Sequence, residues 1–215
     1  MDTRCDRARL QISNVPVSVK GRLRASLVFW KEVLCASPAV LDVIESGYVL
    51  PLMSKPTPFS GSNHASAVQN ANFVDESIEQ LLRTGCVREV DAAPIVLSPL
   101  SVVENNEGKR RLVLNLRHLN KFLYKQKFKY EDLRVAMLLI EKGDYLFSFD
   151  LKSGYHHVDI AQVHRKYLGF AWGHPFYVFT VLPFGLCIAC CMFTKLVRPW
   201  FTTGRCMSQG SGVLG

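Results

Sequence analysis

YLFSFDLKSGYHHVDI, residues 145–160, decides how the chain is read. Tyr145, Phe147 and Phe149 alternate with Leu146 and Ser148, the period of a strand. The run ends on Asp150 and breaks into Leu-Lys-Ser-Gly-Tyr, a turn-prone step. A rigid strand that fixes a carboxylate, followed by a turn that brings backbone close, suits a metal-holding position. The plainer reading, a strand whose terminal Asp caps the next segment, stands beside it and carries more weight on this stretch alone.

Working outward, residues 108–130 hold the most unusual composition. Lys109, Arg110, Arg111, Arg117, Lys121, Lys125, Lys127 and Lys129 occur there with no acid among them. Phe122, Tyr124, Phe128 and Tyr130 lie between the bases. Cations bind phosphates, and base–aromatic stacking contributes about 1–3 kcal/mol per base. The pattern is that of a nucleic-acid track, against the alternative of a solvated basic face with its aromatics turned inward. The whole chain of 215 residues has a net charge of +8, which favours polyanionic partners. With 48% hydrophobic and 20% charged residues, it is globular rather than disordered throughout.

Residues 1–20 read as a loose basic arm. Leu23, Leu27, Trp30 and Leu34 fall at helical spacing. Ser37-Pro38 and Gly47 bracket a second helix, and residues 51–61 read as an extended linker. A third helix covers residues 72–85, with Asn72 and Asp75 at capping-box spacing. A short strand follows at 86–90. The runs 95–103 and 110–116 form a hairpin around the polar loop 104–108. Residues 133–140 give a fourth helix face. A second hairpin, 167–171 with 176–182, turns at Gly173-His174. Residues 186–201 are helical, with Pro199 bending or ending the helix, and 202–215 are expected to be disordered. Helices and strands mix without regular βαβ alternation, so the fold class is α+β with an antiparallel sheet and packed helices.

Residues 176–193 are almost all apolar, but Pro183 and Gly185 cut the run, so a buried strand, turn and helix fit better than a membrane span. The seven Cys are an odd number and no signal-peptide pattern opens the chain. Reduced thiols and an intracellular setting, cytoplasm or nucleus, are expected. Cys187 and Cys190 have C-x-x-C spacing without a second pair, and read as buried free thiols.

Three ordered blocks carry a family resemblance: RRLVLNLRHLN at 110–120, FSFDLKSGYHHVDI at 147–160, and FTVLPFGLCIACCMFTKLVRPW at 179–200. They resemble consecutive blocks of a retrotransposon reverse transcriptase. The nearest resemblance is to the DIRS-like tyrosine-recombinase group, in which a segment like SPAVLDVIESGYVLP precedes the polymerase. The resemblance spans residues 21–202 and implies a partial right-hand polymerase fold. Residues 62–201 would form fingers and the first part of the palm, after a helical N-terminal segment at 21–61. The implied activity is RNA-directed DNA polymerisation on a template-primer from deoxynucleoside triphosphates. Two Mg²⁺ ions about 3.5–4 Å apart would serve it.

Residue by residue, the resemblance makes Asp150 the first metal-binding aspartate and the Leu151 carbonyl its backbone neighbour in the metal shell. Tyr155 matches the steric gate against a 2′-hydroxyl. Arg111 matches the finger arginine on the incoming triphosphate, and Phe184 and Gly185 match the pair lining the nucleotide pocket. Lys109 stands near the finger loop, where Glu104-Asn105-Asn106-Glu107 replaces the usual lysines. Arg117, Lys121, Lys125, Lys127 and Lys129 would track nucleic acid. Ala189-Cys190 stands where the family has Ala-Pro. The family's aromatic-x-Asp-Asp block is missing, and no acid follows Asp159. These 215 residues are therefore expected not to catalyse extension alone. A non-catalytic nucleic-acid-binding relic and an unfolded remnant are the competing readings.

Overall fold

The computed structural model describes residues 18–125, 143 and 151–208, with side chains described as far as Pro199. Asp150, Lys127, Lys129, the strand expected at 145–150 and the helix expected at 133–140 lie outside the described residues, as do 1–17 and 209–215.

Apolar spacing builds the N-terminal part. A short helix α1 (Arg22–Ala25) leads into a wider turn at Phe29–Val33 that buries Trp30. Helix α2 (Pro38–Ser46) starts with Pro at its first turn and buries Val40 and Ile44. Gly47 follows at φ +85°, where an added Cβ would lie 2.9 Å from the Ala161 nitrogen. Only glycine fits this close approach.

Residues 51–61 are not a free linker. Leu52 bridges Leu123 in antiparallel fashion, and strand β1 (Phe59–Ser60) joins a sheet. Ser18 donates to the Thr84 carbonyl, and Lys20 Nζ donates to the Gly85 carbonyl and Thr180 Oγ1 at 2.9 and 2.7 Å. The end of the expected arm is thus docked, because the ammonium meets acceptors at the foot of a sheet.

Helix α3 (Ala65–Gln69) precedes α4 (Ala71–Arg83), whose Val74 and Ile78 are buried. The N-cap of α4 is Asn70, not Asn72, and no side chain caps it; the Asn70 amide instead donates back to the Ser66 carbonyl. Strands β2 (Val87–Val90) and β3 (Val96–Leu97) follow. The run 95–103 is not one strand. Ser98-Pro99 interrupts it, since proline offers no N–H to a ladder, and β4 (Leu100–Glu104) starts a second sheet. There β4 pairs with β5 (Arg110–Leu114) in register Leu100–Leu114 to Glu104–Arg110. The Asn105 side chain accepts from the Glu107 and Lys109 amides, closing the turn.

After β5 comes α5 (Arg117–Asn120). Two tight helical turns, Gly154–His157 and Gln162–Tyr167, lead to the antiparallel hairpin β6 (Gly169–Ala171) and β7 (Phe176–Phe179). Among the described residues the main sheet has the order β1-β3-β6-β7-β2, parallel from β1 to β6 and antiparallel beyond. Helix α6 (Ala189–Ser208) contains Pro199 and runs to Ser208, past the point where disorder was expected.

One apolar core joins all these parts. Trp30, Ile44 and Leu50 from the N-terminal segment share it with Leu119, Phe170, Leu182 and Met192. Residues 21–61 therefore do not pack separately from 62–201. No helix among the described residues is long and apolar enough to cross a membrane.

Candidate nucleotide and nucleic-acid site

The site grows from the turn after Leu151. Leu151 is half-buried, and Ser153 takes a left-handed conformation, φ 53°. Gly154 follows, and an added Cβ there would strike the Phe193 ring at 2.7 Å. That close approach lets the next residue, Tyr155, reach an aromatic corner. Its ring lies 4.7 Å from Phe184, tilted by 53°, and 5.4 Å from Phe193, edge-on. Its hydroxyl is 2.9 Å from Cys190 Sγ. Phe184 is 58% exposed, so the corner presents an aromatic face to solvent rather than a closed core.

Pro183-Phe-Gly-Leu carries Phe184 at the end of the sheet. Gly185 sits at φ +98°, and a Cβ would meet the Leu114 carbonyl oxygen at 2.9 Å. The turn is thereby seated on the end of β5. A second tie comes from α5. Asn120 Nδ2 donates to the Gly185 carbonyl at 2.8 Å, and its Oδ1 accepts from the Cys187 amide at 3.0 Å. Reading the sequence did not single out Asn120; its only signal was its place at the end of the first block.

Arg111 lies on the same β5 strand, three residues before Leu114. At about 3.4 Å per residue it stands about 10 Å from the Gly185 seat. Its neighbour Arg110 points to the other face, donating to Asn70 Oδ1 and lying over the Phe73 ring. Arg111 pairs across the hairpin with Val103, and both are exposed. Lys109 is exposed at the hairpin turn. The two are held on one β-hairpin; Phe184 is held on the turn seated at the end of β5, and Tyr155 meets it from the tight helical turn Gly154–His157.

The basic track divides. Arg117, Lys121 and Lys125 are exposed, and Lys121 follows Asn120 directly. Phe122 is half-buried and packs beside His118, with ring centroids 5.3 Å apart, and His118 in turn stacks on Phe59 at 4.3 Å. Tyr124 is exposed. Partial desolvation pushes the Cys187 thiol up from its ordinary pKa, and the Lys125 charge opposes this. Cys187 and Cys190 are exposed, not buried, while Cys86 and Cys191 are buried. Cys187 lies in the turn before α6 and Cys190 on the exposed side of its first turn, where apolar content alone suggested burial.

His156 and His157 occupy one tight helical turn. Burial, then the adjacent His157, holds His156 below the usual imidazole range. Burial also lowers His157, against a hydrogen bond with the Lys152 backbone. Among the described residues, no three His, Cys, Asp or Glu side chains group as metal donors.

No protein-family model matches the chain. Curated relatives do. The chain is 27% identical over 194 residues to the retrovirus-related Pol polyprotein from transposon gypsy of Drosophila melanogaster, covering 84% of this chain and 18% of that protein. It is 26% identical over 149 residues to the Pol polyprotein from transposon 412 of the same species, covering 67% of this chain and 12% of that one. It is 26% identical over 158 residues to the Tf2-7 transposon polyprotein of Schizosaccharomyces pombe, covering 74% and 11%. The chain thus spans under a fifth of the length of these relatives.

Among solved structures, a selenomethionine-labelled mutant of the prototype foamy virus protease-reverse transcriptase superposes with TM-score 0.55 at 18% identity, over 79% of this chain and 26% of that one. The foamy viral enzyme solved in complex with double-stranded DNA gives 0.50 at 20% identity, over 72% and 31%. The described residues form a partial polymerase fold of mixed α and β elements, similar to the fold of the foamy viral reverse transcriptase.

Proposed function

We propose that these 215 residues supply the fingers and the first palm portion of an RNA-directed DNA polymerase, binding template-primer and an incoming deoxynucleoside triphosphate. The observation that carries this reading is the Tyr155–Phe184 ring pair, whose turn is fixed through Gly185 to the strand that bears Arg111 and through Asn120 to α5. An aromatic face suits a sugar and base. A guanidinium on a strand about two turns of pleat away suits the phosphates, because its fork matches phosphate oxygens. Lys109 adds a second cation at the hairpin tip. Arg117, Lys121 and Lys125, with Lys127 and Lys129, would follow the nucleic-acid backbone. The foamy viral relative solved with double-stranded DNA supports a duplex partner.

Within this reading Tyr155 blocks the space of a 2′-hydroxyl, and Phe184 and Gly185 shape the pocket floor. Asp150 and the Leu151 carbonyl would hold a divalent ion such as Mg²⁺, which supplies charge stabilisation to phosphoryl transfer when bound. The described residues do not by themselves fit a two-ion site: no donor group of three forms among them, and the 215 residues contain no Asp or Glu after Asp159. The expected behaviour of the 215-residue chain is binding without turnover. The finer placement with DIRS-like elements rests on the segment at residues 37–51, whose helix α2 packs into the polymerase core.

A primer-extension assay with Mg²⁺ or Mn²⁺, run beside nucleotide and duplex binding, tests the proposal. Binding of template-primer and deoxynucleotide without extension supports it. Template-dependent extension that is abolished by Asp150→Asn overturns the inactivity. Duplex binding with no nucleotide affinity favours the second reading, a non-catalytic nucleic-acid binder, for which the exposed Lys121 and Lys125 speak.

A further inference from the structure

We infer that Cys190 is a positioning residue for sugar selection: its thiol holds the Tyr155 ring in the orientation that excludes a 2′-hydroxyl. The inference rests on the nucleotide-site reading above and adds to it a residue that reading did not require.

The geometry is specific. Cys190 and Phe193 lie three residues apart on α6, so they share one face of the helix, one turn apart. Both address Tyr155. Phe193 meets the ring edge-on at 5.4 Å, and Cys190 Sγ meets the hydroxyl at 2.9 Å. Phe184 flanks the ring at 4.7 Å. Phe193 is itself pressed against Gly154, where a Cβ would be 2.7 Å from its ring. Ring–ring contacts alone tolerate sliding and tilting, because aromatic pairs accept a range of offsets. A hydrogen bond at the far end of the ring removes that freedom, since it fixes the oxygen against one atom. Sulfur is a weak partner in either role, and the phenol is both donor and acceptor, so the bond orients more than it stabilises.

A gate acts by occupying volume, so its selectivity depends on the ring not swinging. Loss of the hydroxyl anchor loosens the ring while leaving Phe184, Gly185 and Arg111 in place. Affinity for a deoxynucleotide is then little changed and affinity for a ribonucleotide rises. A net hydrogen-bond contribution of ordinary size corresponds to about a 3- to 10-fold change in the ratio.

The test has two arms on the 215-residue chain. In the first, site-resolved mass spectrometry follows iodoacetamide alkylation of Cys190, with exposed Cys187 and Cys35 as internal references. The Tyr155 hydroxyl donates to the thiolate, the reacting form, so Tyr155→Phe slows alkylation of Cys190 about threefold or more and leaves Cys187 and Cys35 unchanged. An unchanged or faster rate at Cys190 overturns the contact.

In the second arm, dATP and ATP compete for a fluorescent nucleotide on template-primer. Cys190→Ala lowers the ATP-to-dATP dissociation-constant ratio about 3- to 10-fold, Cys190→Ser keeps it near wild type, and Cys190→Ala adds nothing once Tyr155 is Phe. A ratio unchanged in Cys190→Ala, with wild-type nucleotide binding intact, overturns the inference and spares the nucleotide-site reading. A wild-type chain that binds neither nucleotide overturns that reading, and with it the role of Cys190 in sugar choice. The alkylation arm then still decides whether thiol and phenol meet.

Discussion

Asn120→Ala removes the tie between α5 and the turn that carries Phe184. Two hydrogen bonds are lost at once, to the Gly185 carbonyl at 2.8 Å and from the Cys187 amide at 3.0 Å. Both backbone groups face solvent, so water re-satisfies them and the full penalty for burying an unpaired group does not apply. Each bond then contributes toward the lower end of the usual net range, about 0.5–1 kcal/mol, or about 1–2 kcal/mol together. For a chain of this size that lowers the melting temperature by about 2–8 °C. The more telling effect is local. The Gly185 seat on the Leu114 carbonyl remains, but the turn loses its second anchor and opens more often. Asn120→Asp separates the two bonds: the carboxylate still accepts from the Cys187 amide but faces the Gly185 carbonyl oxygen with no proton to offer. It is expected to be at least as disruptive as alanine despite its nearly identical shape. Circular-dichroism melts and limited proteolysis with cleavage mapped to residues 183–188 measure both effects. A melting temperature within 1 °C of wild type for both variants, with unaltered cleavage, refutes the claim that this side chain holds the turn.

Three further outcomes follow from the same geometry. Gly185→Ala combines a left-handed backbone with a Cβ 2.9 Å from a backbone oxygen; a loss of about 1–3 kcal/mol in denaturant unfolding is expected. Arg111→Ala should weaken triphosphate binding about 10- to 100-fold in a competition assay, while a nucleoside without phosphates binds as before. Acid should destabilise the fold. The Leu50 amide donates to His164 Nδ1 at 2.9 Å, and burial, then the Lys166 charge, hold that imidazole below its ordinary pKa. A depressed histidine contributes stability that is present above the unfolded value near 6.5 and lost as pH falls through the folded value. Melting temperatures measured from pH 7.5 to 5 should fall, and fall less in His164→Asn, whose amide oxygen can accept without titrating.

The hairpins were legible in the sequence because their turns announce themselves: Glu104 to Gly108 and Gly173-His174 stand between apolar runs and offer nothing to a strand. Helix α4 was legible through its apolar spacing, but its start was not, because a cap depends on where the preceding chain arrives, and α3 arrives at Asn70. Ser98-Pro99 hides inside an apolar run, so the split between β3 and β4 was missed even though proline supplies its cause. Residues 51–61 looked like a linker because pairing with Phe122 to Tyr124 and with β3 is decided by distant partners. The aromatic half of the site was visible as a motif, whereas Asn120 and Cys190 act through contacts across 65 and 35 residues, which no local pattern encodes.

The order of strands in the main sheet sets a schedule for synthesis. Among the described residues β6 and β7, third and fourth in the order, are the last of the sheet's strands to be made, and they join the two earlier parts: β3 meets Gly169 of β6, and β2 meets Phe176–Phe179 of β7. Until the ribosome has passed residue 179, β1 with β3 on one side and β2 on the other lack the described strands that join them. Such late, non-local closure is slow and leaves apolar strands available to other chains. A nascent chain that stalls before this hairpin therefore holds two halves of a sheet without its keystone, and its fate passes to chaperones rather than to its own core.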